Sequence, residues 1–255
     1  MRKVLPILWM CTMVLGIVGT SLVDEGATSW ETDAMEGQLV YERSCLVCHG
    51  VAGNGDGPAA FFNSSYQAPR PRDFTVGNYK FRSTPSGEAP TDQDIFRVLT
   101  NGIPGYMPSF SGLSEEERWQ VTAYLKQFAP DLFHQSPTVV DLPDPIIPFS
   151  LKSAQQGRSV YLEMECQACH GLDGRGTGAT TLMNDLADSR GLQISSTDLT
   201  FLQSFKNGGT GQDVMRTLVT GLDGTPMPSY EAQLQGRPED AWHLVNYVLS
   251  LSSHQ

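Results

Sequence analysis

The chain has 255 residues, 40% of them hydrophobic and 9% aromatic, which is enough for two ordinary folded domains and excludes a disordered protein. The 28 acidic residues outnumber the 17 basic ones, giving a formal net charge of −11. Because nucleic-acid binding needs a cluster of Lys and Arg against the phosphates, this charge argues against nucleic acid as a partner.

The N-terminus has the pattern of an export signal. Arg2 and Lys3 precede an uncharged, mostly apolar run over residues 4–23, in which small residues at 19–21 offer a cleavage site. The run is also long enough to cross a bilayer, so an uncleaved anchor is the alternative. We therefore predict a signal peptide or N-terminal membrane anchor over residues 1–23. The protein is then periplasmic, with a membrane tether through residues 4–23 if the segment is kept.

The rest of the chain consists of two copies of one unit. Three segments recur in the same order: GQLVYERSCLVCHG (37–50) with GRSVYLEMECQACHG (157–171), DIFRVLTNGIPGYMPSF (94–110) with DVMRTLVTGLDGTPMPSY (213–230), and EERWQVTAYLKQF (116–128) with EDAWHLVNYVLSL (239–251). The proline-rich stretch between the copies predicts an extended linker. These boundaries give a first domain over 31–136, a linker over 137–149 and a second domain over 150–255.

Local signals predict that both units are helical. Thr91 and Asp94 resemble a capping box ahead of an apolar helix, and Ser114 and Glu117 form another. Pro238 suits the first turn of the last helix. No stretch alternates apolar and polar residues as a half-buried strand does. The predicted fold class is therefore all-α, with several short helices in each unit joined by long loops.

Aromatic residues recur at matching places in the last helix of both units. Trp119 and Tyr124 in the first copy match Trp242 and Tyr247 in the second, at the same spacing. We expect them to pack against the first helix of their unit, near Gly37 and Gly157. A hydrogen bond to a bound group is the alternative.

A C-x-x-C-H motif follows the first predicted helix of each unit. Its residues are Cys45, Cys48 and His49 in the first unit and Cys166, Cys169 and His170 in the second. Two thiols on one side of a helical turn suit two thioether bonds to haem vinyl groups, and this spacing is the c-type haem attachment signal. A redox disulfide would need a βαβ setting, and zinc would need two further soft ligands nearby. The repeat therefore predicts two covalently bound haem c groups.

The second axial ligand of each iron is predicted to be a methionine. Met107 in GYMPSF and Met227 in TPMPSY lie in proline-flanked loops after a helix. Core packing is the alternative, but the repeated placement before Pro-Ser-aromatic favours ligation. Iron held by His and Met is an electron-transfer site, whereas an open position binds substrate. We therefore predict iron ligation by His49 and Met107, and by His170 and Met227.

Two loop features bear on how the first haem is held. We expect the neighbourhood of Pro58 to supply a carbonyl that orients His49, although the second copy has no such proline. Four basic residues share one stretch of the first unit: Arg70, Arg72, Lys80 and Arg82. Buried propionates need cationic partners, so these residues are candidates, and solvated loop charge is the alternative. The second unit lacks this cluster, which predicts different environments for the two haems.

With these motifs the chain resembles the di-haem class I cytochrome c family, which has tandem domains with C-x-x-C-H near an N-terminal helix and a distal Met-Pro loop. The resemblance covers nearly all of 31–136 and 150–255. It implies two class I cytochrome c-like helical domains, each wrapped around one covalent haem. Carried over by position, it implies attachment at the four motif cysteines, proximal ligands at the two motif histidines and distal ligands at the two methionines.

The function implied is single-electron transfer between exported or membrane-bound respiratory partners. The donor would be a dehydrogenase or cytochrome complex, and the acceptor an oxidase or reductase. No catalytic residue is implied, and the chain is not expected to be an enzyme. One alternative is a di-haem enzyme of the peroxidase or thiosulfate-oxidising type, which the matched methionines disfavour. The other is a fixed cytochrome subunit of a larger respiratory complex, which the N-terminal segment would support.

Overall fold

The computed structural model describes residues 29–61 and 69–252. The predicted signal or anchor over 1–23 lies outside them. Within the described ranges the secondary structure is helical, and β-pairing is limited to two isolated bridges. The all-α prediction is therefore confirmed. In this part of the chain, no helix is both long and apolar enough to span a membrane.

The first domain, as used below, comprises the helices of the N-terminal half. They are α1 (Ser29–Ser44), α2 (Leu46–His49), α3 (Asp92–Asn101) and α4 (Glu115–Lys126), with short 3-10 helices at Pro58–Phe61 and Pro130–Phe133. Helix α1 packs across α4, and α3 packs against α4. The shared core is apolar and aromatic and includes Val40, Tyr41, Phe74, Ile95, Leu99, Val121 and Leu125.

The second domain, again as used below, repeats this arrangement. Its helices are α5 (Leu151–Glu163), α6 (Gln167–His170), α7 (Ala179–Leu182), α8 (Gly211–Thr220), α9 (Glu231–Leu234) and α10 (Pro238–Ser252), with a 3-10 helix at Leu202–Ser204. Helix α10 packs across α5 as α4 packs across α1. Its core includes Val160, Tyr161, Met215, Leu218, Trp242, Leu244 and Val245.

The predicted capping boxes are present. Thr91 accepts a hydrogen bond from the backbone N–H of Asp94 at the start of α3, and Ser114 accepts one from Glu117 at the start of α4. In both boxes the acidic side chain also accepts from the capping residue's backbone N–H. Helix α10 begins at Pro238, as the sequence predicts. Local sequence therefore determines where these helices begin.

The first and last helices of each domain touch at a glycine. A Cβ placed on Gly37 would overlap the backbone carbonyl of Gln120, and one placed on Gly157 would overlap that of His243. The expected packing is confirmed for the tyrosines beside both crossings, with ring centroids 5.3 Å apart for Tyr41 and Tyr124 and 5.1 Å apart for Tyr161 and Tyr247. Trp119 instead stacks on Phe96 of α3. The two crossings therefore allow backbone contact that no larger residue would permit.

The linker over 137–149 is fastened to the second domain. It has no regular helix or strand, as predicted for an extended linker. Trp242 donates from Nε1 to the carbonyl oxygen of Pro143 at 2.7 Å, and Asn246 donates from Nδ2 to that of Ile147 at 3.1 Å. These bonds fix the linker on α10, so the two domains are not joined by a free tether.

Arg82 joins the two domains. Its side chain is fully buried, and its Nη2 donates to the carbonyl oxygen of Thr220 at 2.7 Å and to a carboxylate oxygen of Asp223 at 2.8 Å. Its other nitrogens donate to the carbonyl oxygens of Tyr79 and Pro85. Of the four basic residues considered as propionate partners, Arg82 is therefore used for the domain contact.

The glycine crossings predict a sharp stability effect. Gly37→Ala and Gly157→Ala should each lower the free energy of unfolding by about 1–3 kcal/mol, because overpacking outweighs the roughly 1 kcal/mol gained from alanine's helix propensity. The measurement is denaturant unfolding of the holoprotein. Gly112→Ala is the control, since a Cβ there meets open space. Losses no larger than that of Gly112→Ala would contradict the close crossing.

Candidate functional site

The first domain contains a cavity of about 290 Å³, many times the roughly 10–15 Å³ that a single water requires. Cys45, Cys48, His49 and Met107 all line it. The motif residues come from α2 and the residue before it, whereas Met107 comes from the loop after α3. The fold thus brings together all four residues predicted for the first haem. The remaining wall is mostly apolar and includes Phe74, Ile95, Val98, Leu99 and Leu125.

The second domain contains a corresponding cavity of about 190 Å³. Cys166, Cys169, His170 and Met227 line it, from α6, from the residue before it and from the loop after α8. Its wall is again mostly apolar and includes Leu186, Leu199, Val214, Leu218, Leu244 and Val248. The four residues predicted for the second haem are therefore also brought together.

Each motif histidine is held by a backbone carbonyl. The Nδ1 atom of His49 lies 3.0 Å from the carbonyl oxygen of Arg72, and that of His170 lies 3.1 Å from the carbonyl oxygen of Thr197. With Nδ1 donating its proton to the carbonyl, Nε2 keeps its lone pair for a metal. The expectation that the neighbourhood of Pro58 supplies the carbonyl for His49 is wrong. Pro58 instead begins a short 3-10 helix.

Sequence reasoning missed a small repeat that supplies these carbonyls. Residues 72–75 (RDFT) match residues 197–200 (TDLT). In both copies the aspartate accepts from the backbone N–H and the hydroxyl of the threonine two residues later, through Asp73 with Thr75 and Asp198 with Thr200. The x-Asp-apolar-Thr pattern therefore builds the same turn twice and presents the preceding carbonyl to the histidine. It was detectable in the sequence as a fourth matching segment.

The turn also docks on the glycine-rich loop that follows each motif. The backbone N–H of Phe74 donates to the carbonyl of Gly53 at 2.8 Å, and that of Leu199 donates to the carbonyl of Gly174 at 2.6 Å. Gly53 and Gly174 both have positive φ, at 74° and 75°, a conformation that glycine adopts without strain. The histidine and its carbonyl partner are thus fixed in one hydrogen-bonded unit.

A tyrosine from the first helix fixes the end of each motif. The hydroxyl of Tyr41 donates to the carbonyl oxygen of Gly50 at 2.6 Å, and that of Tyr161 donates to the carbonyl oxygen of Gly171 at 2.7 Å. Burial raises the pKa of both tyrosines, so each hydroxyl keeps the proton it donates. The motif helices α2 and α6 are therefore held from both sides, by a tyrosine and by the turn.

The serine of each Met-Pro-Ser segment closes the methionine loop. Ser109 donates its hydroxyl proton to the carbonyl of Thr100 near the end of α3, and Ser229 does the same to Val219 of α8. The methionine carbonyls also accept backbone hydrogen bonds from earlier in the loop, Met107 from Ile103 and Met227 from Leu222. These bonds satisfy free carbonyls at the helix end and hold both methionines at their cavities.

Protonation states at both sites suit metal binding. Burial lowers the pKa of His49 and of His170, which favours the neutral imidazole that ligates metals. The four motif thiols are not joined in disulfides. Among the described residues, no group of three or more His, Cys, Asp or Glu side chains is placed to hold a metal ion, so the structure gives the zinc alternative no support there.

Basic groups without acidic partners surround the first cavity. Arg70, Arg72 and Lys80 line it, and both Arg70 Nε and the Tyr79 hydroxyl are buried without a hydrogen-bond partner. Burial, followed by the neighbouring charge of Arg190, lowers the pKa of Arg72. A group with acidic substituents would supply the missing acceptors. The ligand set, the apolar wall and these donors therefore fit a haem with its propionates.

Comparisons with known proteins identify the family. The model described as cytochrome C oxidase, cbb3-type, subunit III matches residues 32–125, and the cytochrome c model matches residues 154–252. A chain of the reducing HAO-like protein complex of Kuenenia stuttgartiensis is 38% identical, with a TM-score of 0.77, over 85% of this chain and 95% of that chain. The chain belongs to the di-haem class I cytochrome c family. No curated protein matches this cytochrome significantly. Its tandem cytochrome c domains bind c-type haem and transfer electrons.

The tyrosine bonds give this cytochrome a testable stability effect. Tyr41→Phe and Tyr161→Phe should each lower the free energy of unfolding by about 1–3 kcal/mol, because a buried carbonyl loses its donor. Denaturant unfolding of the holoprotein measures the change. Tyr124→Phe is the matched control, since its hydroxyl makes no hydrogen bond among the described residues. Equal effects from the three variants would show that the Gly50 and Gly171 bonds contribute nothing.

Proposed function

We propose that the protein carries one covalently attached haem c in each domain and passes single electrons between two protein partners. One observation carries this proposal. Each of the two cavities is lined by two cysteines, a histidine held through Nδ1, and a methionine from a distant loop. That combination recurs with the same hydrogen-bonded supports in both domains.

The residues divide into attachment and ligand roles. The thioether bonds would be made by Cys45 and Cys48 in the first domain and by Cys166 and Cys169 in the second, and the axial ligands would be His49 with Met107 and His170 with Met227. When bound, the haem iron supplies a centre that gains or loses one electron. Ligation of the iron by a methionine sulfur raises its reduction potential relative to ligation by a second nitrogen or to an open position.

The polypeptide's own contribution is orientation and exclusion of water. The carbonyls of Arg72 and Thr197 fix the imidazole tautomer, which leaves Nε2 free on the cavity side of each histidine. The apolar walls lower the local dielectric constant and limit solvent access, which further sets the potential. No residue in either cavity is assigned a proton-transfer or nucleophilic role in this proposal.

Electron transfer is favoured over catalysis by the matched methionines. A peroxidase or thiosulfate-oxidising enzyme would need an exchangeable position on one iron. Both methionines instead lie in loops closed by serine and backbone hydrogen bonds, which hold them at the cavity. We therefore propose a carrier role with no catalytic residue.

A second candidate role is that of a cytochrome subunit in a larger redox complex. The similar Kuenenia stuttgartiensis chain belongs to a reducing HAO-like protein complex, and the likeness extends over 95% of that chain. By analogy, this chain would dock on a larger oxidoreductase as its electron donor or acceptor. The net charge of −11 would steer it towards a basic face on such a partner. The other partner would be a dehydrogenase, cytochrome complex, oxidase or reductase of a respiratory chain.

We also propose export to the periplasm, supported by the sequence of residues 1–23. N-terminal sequencing of the protein purified from cell fractions tests this. A mature chain that begins after residues 19–23 in the periplasmic fraction supports a cleaved signal, and an intact N-terminus in the membrane fraction supports a tether. An intact chain in the cytoplasmic fraction would refute both.

If the two methionines ligate iron, replacing either one should remove the spectroscopic signal of methionine ligation from one haem. Met107→Ala and Met227→Ala should each remove about half of the absorption band from methionine sulfur on ferric haem. Each should also lower one reduction couple by on the order of 100 mV, within the ~0.8 V range that axial ligands span. Redox titration with absorption spectroscopy measures both quantities.

Exposed methionines provide matched controls for this experiment. Met35 and Met183 are 70% and 69% exposed, so Met35→Ala and Met183→Ala should leave the band and both couples unchanged. A full band in either ligand variant would show that the iron in that domain has a different ligand. The carrier proposal would then lose its main support.

A further inference from the structure

The two haem cavities share one wall. Lys80, Phe81 and Lys206 line both of them. Lys80 and Phe81 belong to the first domain, in the loop before α3, whereas Lys206 belongs to the second domain, in the loop before α8. Each domain thus contributes a lysine to the other domain's cavity, with the buried Phe81 ring as part of the same wall.

The polypeptide provides little negative charge to balance the two lysines. Burial, followed by the neighbouring charges of Arg72 and Lys206, lowers the pKa of Lys80 to about 7. Burial also lowers the pKa of Lys206, whose ammonium lies 5.0 Å from the ring centre of Tyr106. Within the described ranges neither ammonium has a carboxylate partner at ion-pair distance. A protein with net charge −11 therefore places two lysines without a carboxylate partner between its cavities.

Asp188 is the acidic residue whose charge acts on Lys80, but its hydrogen bonds are made to other residues. Asp188 acts to raise the pKa of Lys80, against the effect of burial. One of its carboxylate oxygens, however, accepts backbone hydrogen bonds from Arg190 and Leu192 at 2.9 Å each, which fixes it in its own turn. Asp188 thus moderates the positive charge and does not neutralise it by direct contact.

Arg82 shows how this fold treats a buried cation with a structural role. Its guanidinium lies at the same domain contact and donates to three carbonyl oxygens and to Asp223. Asp223 also accepts hydrogen bonds from Ser86 and the backbone of Gly87. Lys80 and Lys206 are half-buried, and even partial burial of an unpaired charge is unfavourable. Their contrast with Arg82 therefore indicates that the lysines serve a group outside the polypeptide.

We propose that Lys80 and Lys206 form one carboxylate-binding site that holds the propionates of both haems at the domain contact. This inference rests on the proposed function, because it requires a haem in each cavity. The lysines are positioning residues: they pair with acidic substituents and do not touch the iron. Carboxylate partners favour the charged form of each lysine, so in the holoprotein both ammonium groups keep their protons. Since they line both cavities, they stabilise an added electron in either domain. Both reduction couples therefore depend on the same two lysines.

Redox titration of the full-length holoprotein tests the shared site. Lys80→Gln should lower the equilibrium constant for reduction of both couples by about tenfold, about 59 mV for a one-electron couple. By Coulomb's law, one unit charge has an effect of this size over roughly 12 Å at an effective dielectric constant of about 20. Lys206→Gln should also lower both couples. The couples are assigned to domains with Met107→Ala and Met227→Ala.

Two further variants separate a shared site from a general charge effect. Arg70 lines only the first cavity, so Arg70→Gln should shift the first couple alone. Lys152 is exposed on α5 and lines neither cavity, so Lys152→Gln makes the same change in net charge and should shift neither couple. Lys80→Arg keeps the charge and should keep both couples close to those of the unmodified protein.

The outcomes distinguish this inference from the proposed function. If the unmodified protein lacks two haems or the methionine band, the proposed function fails first. If it has both, and Lys80→Gln and Lys206→Gln retain haem but shift one couple or none, only the shared site is overturned. If Lys80→Gln does not fold, the other two lysine variants test the site. The site is supported if Lys206→Gln shifts both couples and Lys80→Arg shifts neither. Any other pattern refutes it.

Discussion

The backbone contact between the first and last helices of each domain determines how everything else is placed. At Gly37 and Gly157 the helices approach so closely that a Cβ would overlap a backbone carbonyl. This contact sets the position of Tyr41 and Tyr161, whose hydroxyls hold the carbonyls that end the two motif helices. The motif helices in turn position the cysteines and histidines of the two motifs. The close crossing is thus the link between a small apolar core and a defined binding cavity.

A second set of local bonds completes the orientation from the opposite side. The x-Asp-apolar-Thr turn docks on the glycine-rich loop and presents a carbonyl to the histidine, through Arg72 in one domain and Thr197 in the other. The serine after each Met-Pro pair fixes the methionine loop to the end of a helix. These supports lie on different segments, yet each is a hydrogen bond to a backbone carbonyl. Such second contacts hold the direct ligands in the geometry that the cofactor requires.

The sequence predicted what local rules control and missed what depends on long-range contacts. Capping boxes, the start of α10 and the repeated cysteine motif could be predicted because each is encoded within a few residues. The carbonyl partner of His49 could not be predicted from Pro58, because the true partner lies 23 residues away across an irregular loop. The role of Arg82 was hidden for the same reason: its carboxylate partner, Asp223, belongs to the other half of the chain. The difference expected between the two haem environments stays a prediction: Arg70 and Arg72 line only the first cavity, while Lys80 reaches both, which the sequence did not indicate.

The contact between the two domains gives their two cavities shared lining residues. Covalent attachment at both motifs is tested by the intact mass of the holoprotein after full denaturation, followed by mapping of its haem-bearing peptides. Two haems should be retained, one on the peptide with Cys45 and Cys48 and one on the peptide with Cys166 and Cys169. Release of haem on denaturation, or attachment at one motif alone, would contradict it.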